Sequence, residues 1–225
     1  MSITSFTMLV RDRFELTRQT LDSLGDAGNV QKMIITVLDD RSLTPTREFV
    51  ECWCSDHGAN YIRNDIPFGT GTLRNAVIES ARYGHYVYLS DNDLFFTPSW
   101  LDMLIERYEY AWTYGYRVIG AYNHPFNQPI SRIDRVYEVN HLASQSMLIR
   151  WDVWNKFGPF VDTPVDKVCQ SEDVVFSNKI REAGYKVGVV SPWLVANTGI
   201  TNSFGEHIPG WELAKSQCPV GVLCE

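Results

Sequence analysis

The chain has 225 residues, which is room for one large domain, and its 44% hydrophobic and 21% charged residues are typical of a globular protein. A formal net charge of −7 argues against a protein that binds nucleic acid through phosphate contacts and against a polybasic membrane anchor. Any anionic ligand would therefore be bound locally, by a few arginines, backbone amides or a metal ion.

The cysteines and the hydropathy pattern favour a soluble, cytoplasmic protein. The five cysteines are an odd number and include no CxxC pair, so reduced thiols are expected rather than a disulfide framework or a zinc site. No apolar run reaches the ~18 residues of a membrane span, and the N-terminus lacks the pattern of a signal peptide. We expect no transmembrane segment and a single domain over residues 1–225.

Strand and helix patterns alternate through the first half of the chain. A short β-rich run spans residues 5–10, and Asp12 stands where the N-cap of the next helix is expected. The uninterrupted apolar run 33–38 is typical of a strand covered on both faces. The remaining predicted elements of this half are a helix at 48–54, a strand at 61–63, a helix at 70–83, a strand at 86–90 and a helix at 100–112. Such alternation predicts βαβ units and a mostly parallel sheet.

Acidic residues follow three of these predicted strands. In open α/β sheets, ligands bind beyond the carboxyl ends of the strands, so these side chains are expected to meet at one edge. The residues concerned are Asp39, Asp40, Asp65, Asp91 and Asp93. Their placement is the first indication of a functional site.

The second half of the chain has a less regular pattern. Strands are predicted at 117–121, 145–150 and 186–190, and helices at 151–157 and 172–183. Residues 122–141 are predicted as a long irregular loop, and long loops in compact domains are usually functional. Beyond residue 197 the sequence predicts no regular element.

The segment Asp91-Asn92-Asp93, called the DxD segment below, directly follows a predicted buried strand. Two carboxylates one residue apart offer the hard oxygen ligands that Mg²⁺ and Mn²⁺ prefer. Taken alone, the same three residues are also consistent with a capped turn between a strand and a helix.

Residues 64–104 resemble the central block of family 2 glycosyltransferases of the GT-A fold, and the resemblance extends over about residues 4–192. An ordered series of motifs carries it, and the series is more specific than any one member. In chain order the motifs are Asp39-Asp40-Arg41-Ser42, Gly69-Thr70-Gly71, Arg74-Asn75, the DxD segment, Phe157-Gly158-Pro159-Phe160 and Glu172-Asp173.

The resemblance implies an α/β fold of the GT-A type. Its Rossmann-like, mostly parallel central sheet is flanked by helices, and a smaller mixed sheet lies on the acceptor side. The implied division is a nucleotide-binding half at about 1–115, an acceptor-binding half at about 116–200 and a C-terminal tail at 201–225.

The resemblance also implies a reaction: inverting transfer of a sugar from a nucleotide sugar, most simply a UDP-sugar, to a hydroxyl group of a glycan or another acceptor. Mn²⁺ or Mg²⁺ would stabilise the leaving diphosphate, with Asp93 coordinating the metal and Asp91 contacting metal or ribose. The resemblance nominates Asp173 as the general base, with Glu172 orienting it or contacting the acceptor. On the alternative interpretation these two acids, called the acid pair below, only complement a helix dipole.

The sequence motifs are less specific for the residues that bind the donor nucleotide and for the third metal ligand. The residues assigned to the donor are Arg11, Asp39, Asp40, Asp65, Arg74, Asp91 and Asn92. Relatives carry a histidine after the last strand that completes the metal site, but this sequence has Asn197 there. His207 is a candidate metal ligand ten residues later, or otherwise a surface histidine.

Two other functions stay open at this level. One is a catalytically degenerate module that binds a nucleotide sugar; the missing histidine favours it, and the intact Asp91, Asp93 and Asp173 argue against it. The other is a nucleotidyltransferase on a similar sheet. That class usually has a glycine-rich, basic loop near the N-terminus, which residues 9–16 do not provide.

Overall fold

A computed structural model describes residues 3–122, 129–162 and 171–199 of the chain. His207 and the tail 201–225 lie outside the described residues. The strands are β1 Thr4–Val10, β2 Met33–Asp40, β3 Asn60–Asn64, β4 Tyr86–Ser90, β5 Leu94–Phe96, β6 Tyr116–Gly120, β7 Ser131–Ile133, β8 Val136–Val139, β9 Ser146–Arg150, β10 Lys186–Val190 and β11 Val195–Asn197. The helices are α1 Phe14–Asp26, α2 Thr44–His57, α3 Thr70–Ser80, α4 Trp100–Trp112, α5 Trp151–Phe157 and α6 Glu172–Glu182.

A nine-stranded sheet forms the centre of the fold, in the order β3-β2-β1-β4-β9-β6-β10-β8-β7. The pairings leave seven strands running in one direction, with only β8 and β9 reversed. A small second sheet pairs β5 with β11. The fold class predicted from the sequence is confirmed, and strands β6 to β10 of the second half continue the same large sheet.

Apolar side chains cover both faces of the sheet, which explains its continuous hydrophobic strands. On β4, Tyr88 packs on one face and Val87 and Leu89 on the other, in two separate buried clusters. The first cluster contains an aromatic group in which the Tyr88 ring lies 5.6 Å from Phe6 and 4.7 Å from Trp100, measured between centroids. Because successive side chains of a strand point to opposite faces, a strand covered twice must be apolar throughout.

The start of α1 differs from the prediction for Asp12. The helix begins at Phe14, and Arg13, with a left-handed backbone, holds the N-cap position. The Asp12 carboxylate instead accepts a hydrogen bond from the backbone N–H of Leu43, at 2.7 Å. The Asp12 side chain therefore links the loop before α1 to the loop before α2 and does not cap α1.

Other helix bounds and one loop also differ. Helix α2 begins at Thr44, four residues before the predicted start, with a proline in its first turn, and α3 ends at Ser80 rather than at residue 83. Part of the predicted loop 122–141 forms the hairpin of β7 and β8, whose turn places Asp134 at φ 44°. These strands have only three and four residues, too few for a clear alternating pattern.

Two further expectations concern cysteines and membrane spans. Cys52 and Cys54, the cysteines within the described ranges, are free thiols. None of the six described helices is long and apolar enough to cross a lipid bilayer.

Candidate active site

The predicted site residues within the described ranges, which do not include His207, come together at one edge of the sheet. Strands β1, β2, β3 and β4 are parallel neighbours, so the acids that follow them share that edge. Strand β9 runs the other way, and its first residue, Ser146, lies opposite Ser90, the last residue of β4. Residues just before β9 therefore reach the same edge, where Ser144 contacts the start of α6.

Arg74 connects the DxD segment with the acid pair. Its side chain is only 4% exposed, and its Nη2 atom lies 2.5 Å from Oδ1 of Asp91. Its Nε atom lies 3.7 Å from Oε1 of Glu172. A buried guanidinium requires such partners because burial removes its hydration. The structure therefore places Arg74, predicted to contact the donor, between two sets of carboxylates.

The acid pair occupies the first turn of α6 and is attached to Ser144. The Ser144 hydroxyl donates to Oε1 of Glu172 and the Ser144 N–H to Oδ2 of Asp173, both at 3.2 Å. The Ser171 hydroxyl donates to Oδ1 of Asp173 at 2.5 Å, and the N–H of Val174 donates to the same oxygen at 2.7 Å. These donors fix the orientation of both carboxyl groups.

Glu172 has a perturbed ionisation. Burial raises the pKa of its carboxyl group, the Arg74 guanidinium opposes this, and the charge of Asp173 adds to it. A carboxyl group with a raised pKa beside a second carboxylate is a common feature of sites for proton transfer.

Asp93 is buried, and its two oxygens have different surroundings. Oδ2 accepts a hydrogen bond from Nη1 of Arg13 at 3.1 Å, whereas Oδ1 has no hydrogen-bond partner among the described residues. Burial raises the pKa of Asp93 and the charge of Asp91 adds to this, while the Arg13 guanidinium and the nearby Asn197 amide oppose it. A Cβ atom added at Gly199 would collide with Oδ2 of Asp93 and with Nη2 of Arg13, so the backbone lies close to this pair and a larger residue there would have to displace one of the two side chains.

Asn92 links the DxD segment to the start of α1. Its amide nitrogen donates to the backbone oxygen of Asp12 at 3.1 Å and to the hydroxyl of Thr17 at 2.7 Å. The predicted contact of Asn92 with the donor nucleotide stays a prediction.

The oxygen atoms at the DxD segment fit a hard divalent cation. Asp93 offers a buried oxygen, Oδ1, that accepts no hydrogen bond from the described residues, and Asp91, two residues earlier, is a second carboxylate. Asn197 lies on β11, where it pairs with Leu94 of β5. Its side-chain oxygen, Oδ1, is also buried and makes no hydrogen bond within the described part of the chain. The described residues contain no group of three histidine, cysteine, aspartate or glutamate side chains that could hold a metal.

Asp39 has its carboxylate occupied by neighbouring side chains. Oδ1 accepts the N–H of Ser42 at 2.8 Å, and Oδ2 accepts the Tyr61 hydroxyl at 2.8 Å and Nη1 of Arg63 at 2.6 Å. Burial, together with the hydrogen bond to Asp39, raises the pKa of Tyr61 to about 12. Arg63 also reaches Asp65, with Nε 2.9 Å from Oδ1.

Asp40 is surrounded by cationic and amide donors. Nε of Arg41 lies 3.0 Å and Nδ2 of Asn64 2.9 Å from Oδ1, while Nη1 of the half-exposed Arg11 lies 3.5 Å from Oδ2. Burial acts to raise the pKa of Asp40, but these hydrogen bonds and charges outweigh it and lower the pKa below its ordinary value. Arg11 and Asp40, both assigned to the donor, thus lie together.

Besides the serines that hold the acid pair, sequence reasoning missed three charged residues that organise this edge: Arg13, Arg63 and Asp162. Asp162 accepts the N–H and the hydroxyl of Thr72 in the first turn of α3. For Arg63 a signal existed, because Tyr61 and Arg63 alternate on one face of a strand beside Asp39. For Arg13 and Asp162 the contacts join distant parts of the chain, and no local pattern marks them.

A family model described as Glycosyl transferase family 2 matches residues 5–170. No curated protein matches the chain. Among solved structures, the chain is similar to GalNAc-T7 with UDP, GalNAc and Mn²⁺, at 13% identity and a TM-score of 0.67 over 88% of this chain and 44% of the other. It is also similar to the mannosyltransferase PcManGT of Pyrobaculum calidifontis with GDP-Man and Mn²⁺, at 15% identity and a TM-score of 0.68 over 96% and 61%.

A third similar structure is TarS 1-349 of S. aureus, at 18% identity and a TM-score of 0.59 over 84% of this chain and 58% of the other. At such identities the likeness shows a shared fold. The chain spans between about two fifths and three fifths of the length of these three proteins.

Proposed function

The chain belongs to glycosyl transferase family 2, and we propose that it is an inverting, metal-dependent glycosyltransferase. Its donor is a nucleotide sugar, with UDP-sugars the first to test, and its acceptor is a hydroxyl group of a glycan or another molecule. The observation that carries the proposal is Arg74, which joins the DxD segment to the acid pair within hydrogen-bond and ion-pair distances. Carboxylates suited to a metal and carboxylates suited to proton transfer thus lie together at one edge of the sheet.

Asp93 and Asp91 are the residues that would hold Mn²⁺ or Mg²⁺. The unpartnered Oδ1 of Asp93 and the carboxylate chemistry of both side chains support this assignment. When bound, the cation supplies positive charge that stabilises the leaving diphosphate. The similar structures of GalNAc-T7 and PcManGT, which contain Mn²⁺ with UDP or GDP-Man, also favour it.

Asp173 is the proposed general base. An acceptor hydroxyl that attacks the anomeric carbon directly must lose its proton, and a fixed carboxylate within hydrogen-bond reach accepts it. The donors from Ser144, Ser171 and Val174 hold the Asp173 carboxylate in one orientation. Glu172, between Arg74 and Ser144, is the positioning partner of the base.

The test combines binding and turnover. UDP-sugars and GDP-sugars are screened for thermal stabilisation in Mn²⁺ and in EDTA, because a ligand at 100 times its Kd adds about 2.7 kcal/mol to the free energy of unfolding. The sugar that stabilises is then offered with hydroxyl acceptors, and NMR identifies the product anomer.

The expected result is metal-dependent binding followed by transfer with inversion. Equal stabilisation in EDTA would contradict the metal assignment, and a retained anomeric configuration would contradict the inverting mechanism. Binding without transfer to any acceptor would favour the module that only binds nucleotide sugars, and transfer of the nucleotidyl group would favour a nucleotidyltransferase.

A further inference from the structure

Arg13 and Asp93 form an ion pair beside the proposed metal site. Nη1 of Arg13 lies 3.1 Å from Oδ2 of Asp93, and the two side chains are 16% and 10% exposed. Two ionised groups so far from water stabilise each other's charge, because burial removes much of the hydration of both. The carboxylate best placed for a metal therefore already has a cationic partner within the protein.

The backbone that carries Arg13 is held in an unusual conformation. Asp12 and Arg13 both have positive φ, 49° and 59°, which non-glycine residues rarely adopt and which costs conformational energy. Neighbours fix it: the backbone oxygen of Asp12 accepts hydrogen bonds from Thr17 and Asn92, and its carboxylate accepts the N–H of Leu43. Two consecutive strained residues direct the guanidinium to the DxD segment.

The two carboxylate oxygens of Asp93 differ in their partners, so that one pairs with Arg13 and the other is open to a cation. Oδ2 is covered by Arg13 and by the close backbone of Gly199, and Oδ1 has no partner among the described residues. A divalent cation bound at Oδ1 would lie next to the guanidinium, and two positive charges at such a separation repel each other. A diphosphate brings the opposite charge, and arginine pairs with phosphate oxygens through two parallel hydrogen bonds.

We propose that Arg13 makes the binding of the metal and of the nucleoside diphosphate interdependent. Its guanidinium opposes a divalent cation that binds alone at Asp93, and it binds the diphosphate when cation and nucleotide are present together. This inference rests on the proposed function, since it requires a donor diphosphate. Coupling between two ligands is reciprocal. With Arg13 present, the bound cation therefore raises the affinity for the nucleoside diphosphate by the same factor as the bound nucleoside diphosphate raises the affinity for the cation.

The test compares Arg13→Gln with wild type in two titrations. Calorimetry measures the affinity for Mn²⁺ without nucleotide, and then the affinity for UDP or GDP, whichever binds wild type, at saturating Mn²⁺. In the variant we expect Mn²⁺ alone to bind about threefold or more tightly, and the nucleoside diphosphate to bind on the order of tenfold more weakly. The matched control is Arg18→Gln, which removes an exposed guanidinium of α1 that pairs with the exposed Glu15, and it should change neither affinity.

A folded Arg13→Gln variant whose affinity for Mn²⁺ alone is unchanged or weaker would overturn the inference. If that variant does not fold, a crystal structure of the wild type with Mn²⁺ and the nucleoside diphosphate decides. Contact between Arg13 and a phosphate oxygen is expected, and an intact Arg13–Asp93 pair without phosphate contact would overturn the inference. Failure of the wild type to bind UDP and GDP contradicts the proposed function as well, whereas normal wild-type binding with unaltered variant affinities contradicts this inference alone.

Discussion

Replacing Arg74 by methionine should destabilise the protein strongly. The substitution keeps most of the side-chain volume but leaves Asp91 and Glu172 without their shared cation. Loss of one partner of a buried ion pair costs roughly 3–5 kcal/mol, and because the Asp91 side chain is 34% exposed we expect about 3 kcal/mol, the lower end of that range. The two carboxylates, rather than the lost packing of Arg74, account for most of this effect.

Urea unfolding followed by circular dichroism gives the free energy of unfolding of wild type and variant. The control is Arg82→Met, which removes a half-exposed arginine paired with Glu79 just after the same helix and should change stability little. Adding Asp91→Asn and Glu172→Gln to Arg74→Met removes the unpaired charges, and this triple variant should recover about 1 kcal/mol or more.

A loss below about 1 kcal/mol for Arg74→Met, the size expected of an exposed pair, would show that Arg74 is not the cation on which these acids depend. A triple variant no more stable than Arg74→Met would show that the cost is one of packing rather than of charge. Either result would refute the link drawn between the DxD segment and the acid pair.

Three other substitutions test the site. Asp93→Ala should abolish the Mn²⁺-dependent part of nucleotide binding while the fold is retained; calorimetry that finds equal binding in Mn²⁺ and EDTA for wild type would argue against a metal at Asp93. Asp173→Asn should lower kcat and kcat/KM together by roughly 10²–10⁴ with donor binding preserved, and a variant within tenfold of wild type would move the base assignment to Glu172. Asp40 has a folded pKa below its ordinary value of 3.8, so its ionised form stabilises the protein above that pH, and this contribution is lost as the pH falls through the folded pKa. The difference in the free energy of unfolding between wild type and Asp40→Asn should therefore shrink only below about pH 4. A difference that is the same at pH 3 and pH 7 would contradict the assigned ion pairs.

The sequence predicted the fold and the edge that carries the acids because both follow from local patterns. An apolar run such as 33–38 predicts a strand covered on both faces, and parallel strands bring their carboxyl ends together. The positions of Asp91 and Asp93 after β4 needed no knowledge of distant residues. The DxD segment and the acid pair were therefore placed in the site by their order in the chain.

The partners of these acids could not be predicted in the same way. Whether Asp39 points to a ligand or to Tyr61 and Arg63 depends on the register of β2 against β3, which the sequence does not give. The pairing of Arg13 with Asp93 joins residues 80 positions apart and requires a left-handed backbone at a non-glycine residue. Sequence patterns reflect the average backbone preference of each residue type, and a positive φ at arginine departs from that preference.

The position of β11 late in the sequence affects the order in which contacts form while the chain is synthesised and folds. The backbone oxygen of Asp93 accepts hydrogen bonds from the N–H and the hydroxyl of Thr198, a residue 105 positions later in the chain. Strand β4 can pair with β1 early in translation, but the DxD segment gains these contacts only after residues 195–199 have left the ribosome. Contacts of such sequence separation are slow to form, so the edge that carries the proposed metal ligands is completed later in folding than the β1–β4 pairing beside it.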